Sequence, residues 1–318
     1  MPVDIAPIDA ADPVLAEIIS GLSSPQKTLP AKLFYDEAGC ALFNRITQLP
    51  EYYVTRAEMA LLDRHAAEIA EHAPDGAALV EYGASDEVKG VRLLDAGNAR
   101  FGAYVPIDIA APALRDIVGR LEASHPGLAV VPIAADFLQP LVLPPALAGR
   151  PSFGFFPGST IGNFRPPMVL RFLRTVRATL SGTETPVFVV GTDLRKDPDR
   201  LIPAYDDAGG ITAAFNRNIL LHVNRLAAAD FDPEAFLHRA IWNAHEGRIE
   251  MHLQSQIAQT VRLAGRTVRF VPGETIHTED SYKHTRDGFL SLATEAGWRS
   301  DGFWTDPDGL FGMHLLRG

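Results

Sequence analysis

The strongest constraint on this chain is an alternation that runs from residue 78 to residue 191. Short apolar runs recur there: Ala78-Leu79-Val80-Glu81, Ala103-Tyr104-Val105-Pro106-Ile107-Asp108, Ala129-Val130-Val131-Pro132-Ile133, Phe153-Gly154-Phe155-Phe156 and Val187-Phe188-Val189-Val190-Gly191. Uninterrupted apolar runs of this length, closed by turn or acidic residues, suit parallel strands buried on both faces. Helix-length patterns separate them, around Glu87 to Ala96, Ala110 to Ala123 and Pro166 to Leu180. The expected fold is therefore α/β, with a doubly wound sheet from Ala78 to Gly191. Upstream, Asp12 to Leu22 reads as a helix, and Thr55-Arg56-Ala57-Glu58 reads as a capping box opening a helix to about Ala73. From Lys196 to Lys283 the alternation stops. In its place come Phe215-Asn216-Arg217-Asn218, His222-Val223-Asn224-Arg225 and a strand-like Thr267 to Val271. A helix from Thr285 to Ala296 and a strand from Leu310 to Leu316 then return to the first sheet, so the intervening segment reads as an inserted domain.

Composition narrows the partners. With 47% hydrophobic and 21% charged residues in 318, the chain is globular rather than fibrous or disordered. Its 29 Lys and Arg against 39 Asp and Glu give a net charge of -10, which repels nucleic-acid phosphates and anionic lipid. The lone Cys40 allows no intramolecular disulfide and no thiolate metal cluster, and fits a reducing cytoplasm. Met1-Pro2-Val3-Asp4 opens no basic-then-apolar leader, and no window approaches the roughly 18 apolar residues of a membrane span. The ten histidines form no H-x-x-x-H pair on a recognisable helix. A soluble cytoplasmic protein is expected, without metal, nucleic acid or membrane.

Chemistry gathers at the strand ends. Glu81-Tyr82-Gly83-Ala84-Ser85-Asp86 is a short turn where a glycine lets a ligand approach the backbone. Asp108 follows Gly83 by 25 residues, at a position where a carboxylate can accept ribose hydroxyls, and Asp136-Phe137 could grip adenine. Helix capping is the plainer reading of these acids. The full G-x-G-x-x-G and the P-loop motif are absent, so a ligand without pyrophosphate, S-adenosylmethionine, suits the turn better than NAD. After the fourth strand comes Pro157-Gly158-Ser159-Thr160-Ile161-Gly162-Asn163-Phe164. Its Asn163 offers a zwitterionic substrate both donor and acceptor, with a structural turn as the equal alternative. Further on, Asp206 and Asp207 read as a cap.

Several longer stretches occur in one order. They are Tyr35-Asp36-Glu37 through Leu49-Pro50-Glu51-Tyr52-Tyr53, Gly158 to Phe164, Gly191-Thr192-Asp193-Leu194, Tyr205-Asp206-Asp207 through Phe215-Asn216, Arg248-Ile249-Glu250-Met251 and Thr278-Glu279-Asp280-Ser281. Together, over about residues 30 to 316, the chain resembles the histidine-specific Nα-methyltransferases of ergothioneine biosynthesis. The resemblance implies a Rossmann-like S-adenosylmethionine-dependent methyltransferase domain, residues 58–195 plus 284–318, with an inserted substrate-binding domain, residues 8–57 plus 196–283. It implies that Tyr52, Gly83, Lys89, Asp108, Asp136 and Phe137 hold S-adenosylmethionine, released as S-adenosylhomocysteine. Histidine would be held by Tyr52, Asn163, Tyr205, Glu279 and Ser281, with Thr212 and Met251 lining the side-chain pocket. Asn163, Tyr205 and Tyr35 would be the catalytic residues, in a monomer.

Glu279 and Ser281 lie two apart, so on an extended segment both face the same way and can serve the two nitrogens of one imidazole. The expected product is Nα,Nα,Nα-trimethylhistidine (hercynine), made by three successive methylations in the first step of ergothioneine biosynthesis. Tryptophan or tyrosine as substrate would call for an apolar residue at 279. A non-catalytic sensor of adenosine or amino acids has support only in the Gly83-Ala84-Ser85 turn, where relatives usually read Gly-Ser-Gly. Relatives also carry Lys-Thr where this chain has Lys89-Gly90.

Overall fold

The structure, a computed structural model, describes residues 13–97, 100–180 and 185–318. The expectations at Met1-Pro2-Val3-Asp4 and at the helix start Asp12 fall outside the described residues. The chain divides into two compact units, Met1–Tyr53 with Lys196–Ser281 and Val54–Arg195 with Tyr282–Gly318.

The second unit is built on the sheet the apolar runs foretold. Strands Ala77–Tyr82, Phe101–Asp108, Ser152–Phe156 and Val187–Asp193 pair in parallel. Across the sheet the order is 299–305, 311–317, 187–193, 152–156, 77–82, 101–108, 129–130. Strand Phe311–Arg317 runs antiparallel to both its neighbours. The order reverses beside Ala77–Tyr82, and a doubly wound sheet opens a ligand crevice at such a switch point, outside the carboxyl ends of its strands. Helix Pro166–Leu180 buries Val169, Phe172, Leu173, Val176 and Leu180 at helical spacing. The Phe172 and Phe156 rings meet at 4.6 Å, and the Trp298 indole donates to the Leu173 carbonyl at 3.0 Å.

Three readings are corrected. The run Ala129 to Ile133 is not one strand: Val131 N–H still reaches the Tyr104 carbonyl at 2.9 Å, but Pro132 has no N–H to give. Pairing therefore splits into Ala129–Val130 and Ile133–Ala134. An edge strand, Arg299–Thr305, went unread because its first three residues are polar and exposed. The helix expected to open at a Thr55 capping box begins at Tyr53 and ends at Ala70, so Thr55 and Glu58 lie inside it. Glu58 has a different task, described below.

In the first unit, a sheet is ordered Lys27–Thr28, Thr275–Tyr282, Arg248–Ser255, Phe236–Asn243, beside a hairpin of Gln259–Leu263 and Arg266–Phe270. Helices Glu37–Ile46 and Ile211–Ala227 carry an aromatic cluster in which Phe215 stacks on Phe34 at 4.6 Å and lies 6.0 Å from Phe43.

Buried titratable groups give the second unit a pH signature. Burial pushes His284 down to about 4 and His314 down to about 3, so both fold neutral. Unfolded, they take protons near pH 6.5; their contribution to stability is complete above that value and is lost as pH falls toward the folded values. Glu81 opposes them: burial lifts its carboxyl to about 8, so its contribution is complete below about pH 4.5 and lost as pH rises through 8. Between pH 7 and pH 5 each histidine forfeits about 2 kcal/mol by this linkage. His314→Leu should therefore lose about 2 kcal/mol less stability than the parent chain over that interval in denaturant titrations at the two pH values. Equal losses would show that His314 is not buried neutral.

Candidate active site

At the end of strand Ala77–Tyr82 the chain turns through Gly83, at φ +73. A Cβ there would stand 3.5 Å from the Phe137 ring and 3.9 Å from Phe156, so glycine keeps the turn open beside two aromatic rings. Gly83 and Phe137, both expected at the cofactor, are thus neighbours. Phe137 also packs edge-on against Phe172 at 5.9 Å. Asp108 and Asp136 stand at the ends of the next two strand segments. Each accepts a backbone N–H two residues on, Ala110 at 2.8 Å and Leu138 at 2.9 Å, but neither caps a helix: Ala110 is the N-cap of helix Ala111–Ser124, with no side-chain cap bond, and Asp136 opens a turn. Burial raises the Asp108 carboxyl above its ordinary value, against the pull of its backbone amides, whereas Asp136 is exposed.

Lys89 is held rather than free. Its Nζ lies 2.7 Å from Glu58 Oε2, and Glu58 Oε1 accepts the Gly158 amide at 2.7 Å. Burial works against the ammonium, but the Glu58 charge outweighs it and the lysine sits above its ordinary pKa. The fully buried Glu58 therefore ties its own helix to Lys89 and to the Pro157-Gly158 turn. Nearby, Glu81 accepts the Tyr104 hydroxyl at 2.7 Å. A Cβ at Gly90 would lie 2.2 Å from Glu81 Oε2 and 3.0 Å from the Tyr104 hydroxyl. A residue without a side chain is therefore the one that fits at position 90 without moving that pair. Asn163 closes the turn Thr160–Asn163 after strand Ser152–Phe156, at the carboxyl edge of the sheet, and the turn is held by Gly162 N–H on the Ser159 carbonyl at 2.8 Å.

In the first unit, Glu279 and Ser281 lie buried on strand Thr275–Tyr282. The Tyr205 hydroxyl is 2.9 Å from Ser281 Oγ, and the Tyr52 and Tyr205 rings meet edge-on at 6.2 Å. Tyr35 is 37% exposed as a residue, yet the enclosure of its phenol holds it above its ordinary value, and the charge of Glu279 and the phenols of Tyr52 and Tyr205 add to the shift. Tyr35, Tyr52, Tyr205, Glu279 and Ser281 thus share one neighbourhood. Thr212 is buried in the first turn of helix Ile211–Ala227, and Met251 is buried on strand Arg248–Ser255. Asp207 does cap that helix, accepting Thr212 N–H at 2.7 Å and Ile211 N–H at 3.0 Å. Asp206 does not; it is half exposed, with its carboxylate 3.9 Å from His238.

Sequence reasoning missed residues that shape this neighbourhood. Phe43 and Phe215 stand edge-on to Tyr35 at 6.0 and 6.1 Å. Asp36, which caps helix Glu37–Ile46, also accepts Asn218 at 2.7 Å. The Phe215-Asn216-Arg217-Asn218 motif was a signal for two of these; Phe43 carried none. Among the described residues, Glu250, His252 and His277 bring potential metal-ligand atoms within 4.8 Å of one another. The two imidazoles stack, 4.6 Å apart and 29° from parallel, so their in-plane lone pairs run side by side rather than toward one ion. Arg248 and Asn243 already occupy Glu250 at 2.6 and 2.9 Å.

The strand order, the antiparallel last strand and the glycine turn beside an aromatic ring are those of a Rossmann-like S-adenosylmethionine-dependent methyltransferase. The family described as "Histidine-specific methyltransferase, SAM-dependent" matches residues 14–318, and the chain belongs to it. It is 42% identical to the histidine N-alpha-methyltransferase of Mycolicibacterium smegmatis, over 98% of this chain and 97% of that one. It is 40% identical to the histidine N-alpha-methyltransferase of Mycobacterium tuberculosis, over 94% and 93%. It is 27% identical to ergothioneine biosynthesis protein 1 of Neurospora crassa, over 91% of this chain and 33% of that longer protein. The enzyme is an S-adenosylmethionine-dependent amino-acid N-methyltransferase.

Gly90→Thr should destabilise the fold by about 1–3 kcal/mol, because the added atoms must displace the Glu81–Tyr104 pair. A denaturant midpoint equal to that of the parent chain would show that this pair can move aside.

Proposed function

We propose that the enzyme converts L-histidine to Nα,Nα,Nα-trimethylhistidine by three successive methylations, the first step of ergothioneine biosynthesis. The observation that carries this reading is the pairing of Glu279 and Ser281 on one buried strand, with the Tyr205 hydroxyl 2.9 Å from Ser281 and Tyr35 within the electrostatic reach of Glu279. An imidazole offers two ring nitrogens. The Glu279 carboxylate accepts one N–H, and the Ser281 hydroxyl serves the other nitrogen. A ring lacking them would leave buried polar groups unpaired, the basis of strong selectivity.

In this reading Tyr52, Gly83, Lys89, Asp108, Asp136 and Phe137 hold S-adenosylmethionine. Tyr52, Asn163 and Tyr205 take the substrate carboxylate and steer its amino group, while Thr212 and Met251 close the side-chain pocket. The amine lone pair attacks the sulfonium methyl carbon in line, the carbon–sulfur bond breaks, and its electron pair leaves on the neutral thioether of S-adenosylhomocysteine. The first two products must each shed one proton before the next transfer; the third, a quaternary ammonium, has none to lose. Tyr35, held well above its ordinary pKa, stays protonated and so relays a proton or donates a hydrogen bond rather than acting as a phenolate base. Alignment carries the catalysis, with Asn163, Tyr205 and Tyr35 as the catalytic residues and no metal in the reaction. A monomer in a reducing cytoplasm completes the reading, consistent with the lone Cys40 and the net charge of -10. No described helix is long and apolar enough to cross a membrane.

Incubation with S-adenosylmethionine and each of the twenty amino acids, followed by mass spectrometry, should give trimethylated histidine alone. A different methylated amino acid would reassign the pocket. Glu279→Ala should lower kcat/KM for histidine by about 10- to 100-fold, the worth of a lost charged hydrogen bond. Unchanged histidine kinetics in that variant would remove Glu279 from the imidazole clamp.

A further inference from the structure

One side chain outside the proposed site ties three of its residues together. Asn216 is fully buried on helix Ile211–Ala227 and hydrogen-bonds in three directions. Its Nδ2 donates to the His252 carbonyl at 3.1 Å and to His238 Nδ1 at 2.8 Å, and its Oδ1 accepts the Thr278 hydroxyl at 2.7 Å. The orientation of the amide follows from its partners, since a backbone carbonyl can only accept. His238 must then accept at Nδ1, which leaves Nε2–H to donate to the Tyr205 carbonyl at 2.8 Å. Burial holds that imidazole below its ordinary pKa, in keeping with the neutral tautomer. The Thr278 hydroxyl also lies 3.0 Å from the Met251 carbonyl, and Thr278 directly precedes Glu279.

Tyr205, Met251 and Glu279 thus sit on three separate elements that are joined to one amide, the first through His238 and the other two through Thr278. None of these bonds touches the side chain that would contact the substrate. We propose that Asn216 and Thr278 are positioning residues that set selectivity for histidine by fixing the backbones of Tyr205, Met251 and Glu279 in one register. The inference rests on the histidine clamp proposed above. The clamp requires Glu279 and Ser281 to match two ring nitrogens, and a displacement of about 1 Å is enough to spoil such a match. A buried network in which every donor and acceptor is used also resists adjustment, so losing one member is felt by the rest.

The test uses the intact enzyme. Thr278→Val keeps the shape of the side chain and removes the hydroxyl, taking from Asn216 Oδ1 its donor and ending the contact with the Met251 carbonyl; Thr278→Ser keeps the hydroxyl. Thr278→Val should raise KM for histidine by about tenfold and narrow the preference for histidine over tryptophan, with S-adenosylhomocysteine affinity unchanged by calorimetry. Thr278→Ser should restore both to within about threefold of the parent. If Thr278→Val does not fold, Thr278→Ala removes the same hydroxyl and is compared with Thr278→Ser in the same way. Parent-like histidine KM and preference in the hydroxyl-free variant would overturn the proposal, as would equal loss of histidine and S-adenosylhomocysteine binding. Glu279→Ala, measured alongside, separates the two claims. If it keeps the histidine preference, the clamp falls and the positioning role with it; if it loses the preference while Thr278→Val keeps it, only the positioning role falls.

Discussion

Five consecutive polar residues, His277 to Ser281, lie buried on one strand, and the architecture around the proposed substrate pocket answers to that fact. A buried polar group costs free energy unless it is hydrogen-bonded, and a buried charge costs more. Three residues of the strand therefore draw partners from elsewhere in the chain, and a fourth turns to a neighbour on the strand itself. Thr278 draws Asn216, Asp280 draws Arg248 at 3.0 Å, Ser281 draws Tyr205, and His277 turns to Asp280 at 2.9 Å. These contacts tie the strand to helix Ile211–Ala227 and strand Arg248–Ser255. A strand bound so thoroughly has little freedom to adapt to the wrong ligand.

The second unit uses buried carboxyls differently. Glu81 has a tyrosine hydroxyl as its hydrogen-bond partner, so burial wins and the group stays protonated at neutral pH. Glu58 has a lysine 2.7 Å away and a backbone amide, a pairing that makes a buried ionic group tolerable. Asp193 and Lys283, both fully buried, pair at 2.7 Å in the same manner. Breaking such a pair by removing one member strands a charge in the interior, at a cost of about 3–5 kcal/mol. The second unit is thus held in part by a few buried ionic contacts that permit little local change.

What could be read ahead of the structure follows the range of each interaction. The parallel strands were legible because burial on both faces writes itself as a local apolar run, and the Glu279–Ser281 pairing because a strand repeats every two residues. Pro132 could have warned of the break in the third strand, since it cannot donate to a ladder. Glu58 was misread because Thr-x-x-Glu is a local signal, whereas the partner that decides its role, Gly158, lies 100 residues away. Phe43 and His238 were illegible for the same reason: their partners are set by tertiary contact, and nothing in their own neighbourhoods distinguishes them from ordinary helix or strand residues; Asn216 stood in a marked motif, but its partners could not be read from it. Arg299–Thr305 escaped because an edge strand does not need apolar residues on both faces.

Selectivity has to come from the polar side of such a pocket. The aromatic residues around Tyr35, Phe43 and Phe215, offer an imidazole, a phenol or an indole much the same attraction, and a hydrophobic wall alone separates similar ligands by only about 10- to 200-fold. A pair of buried groups that demands two ring nitrogens separates them far more strongly, because the wrong ring leaves both groups unpaired. That discrimination holds only while the pair keeps its spacing. If the strand could shift, Glu279 could turn away or recruit water, and the penalty on which rejection depends would vanish. On the proposed clamp, then, the rigidity of the strand and the choice of substrate are one property, and the hydrogen bonds on either side of Glu279 bear on specificity along with the carboxylate itself.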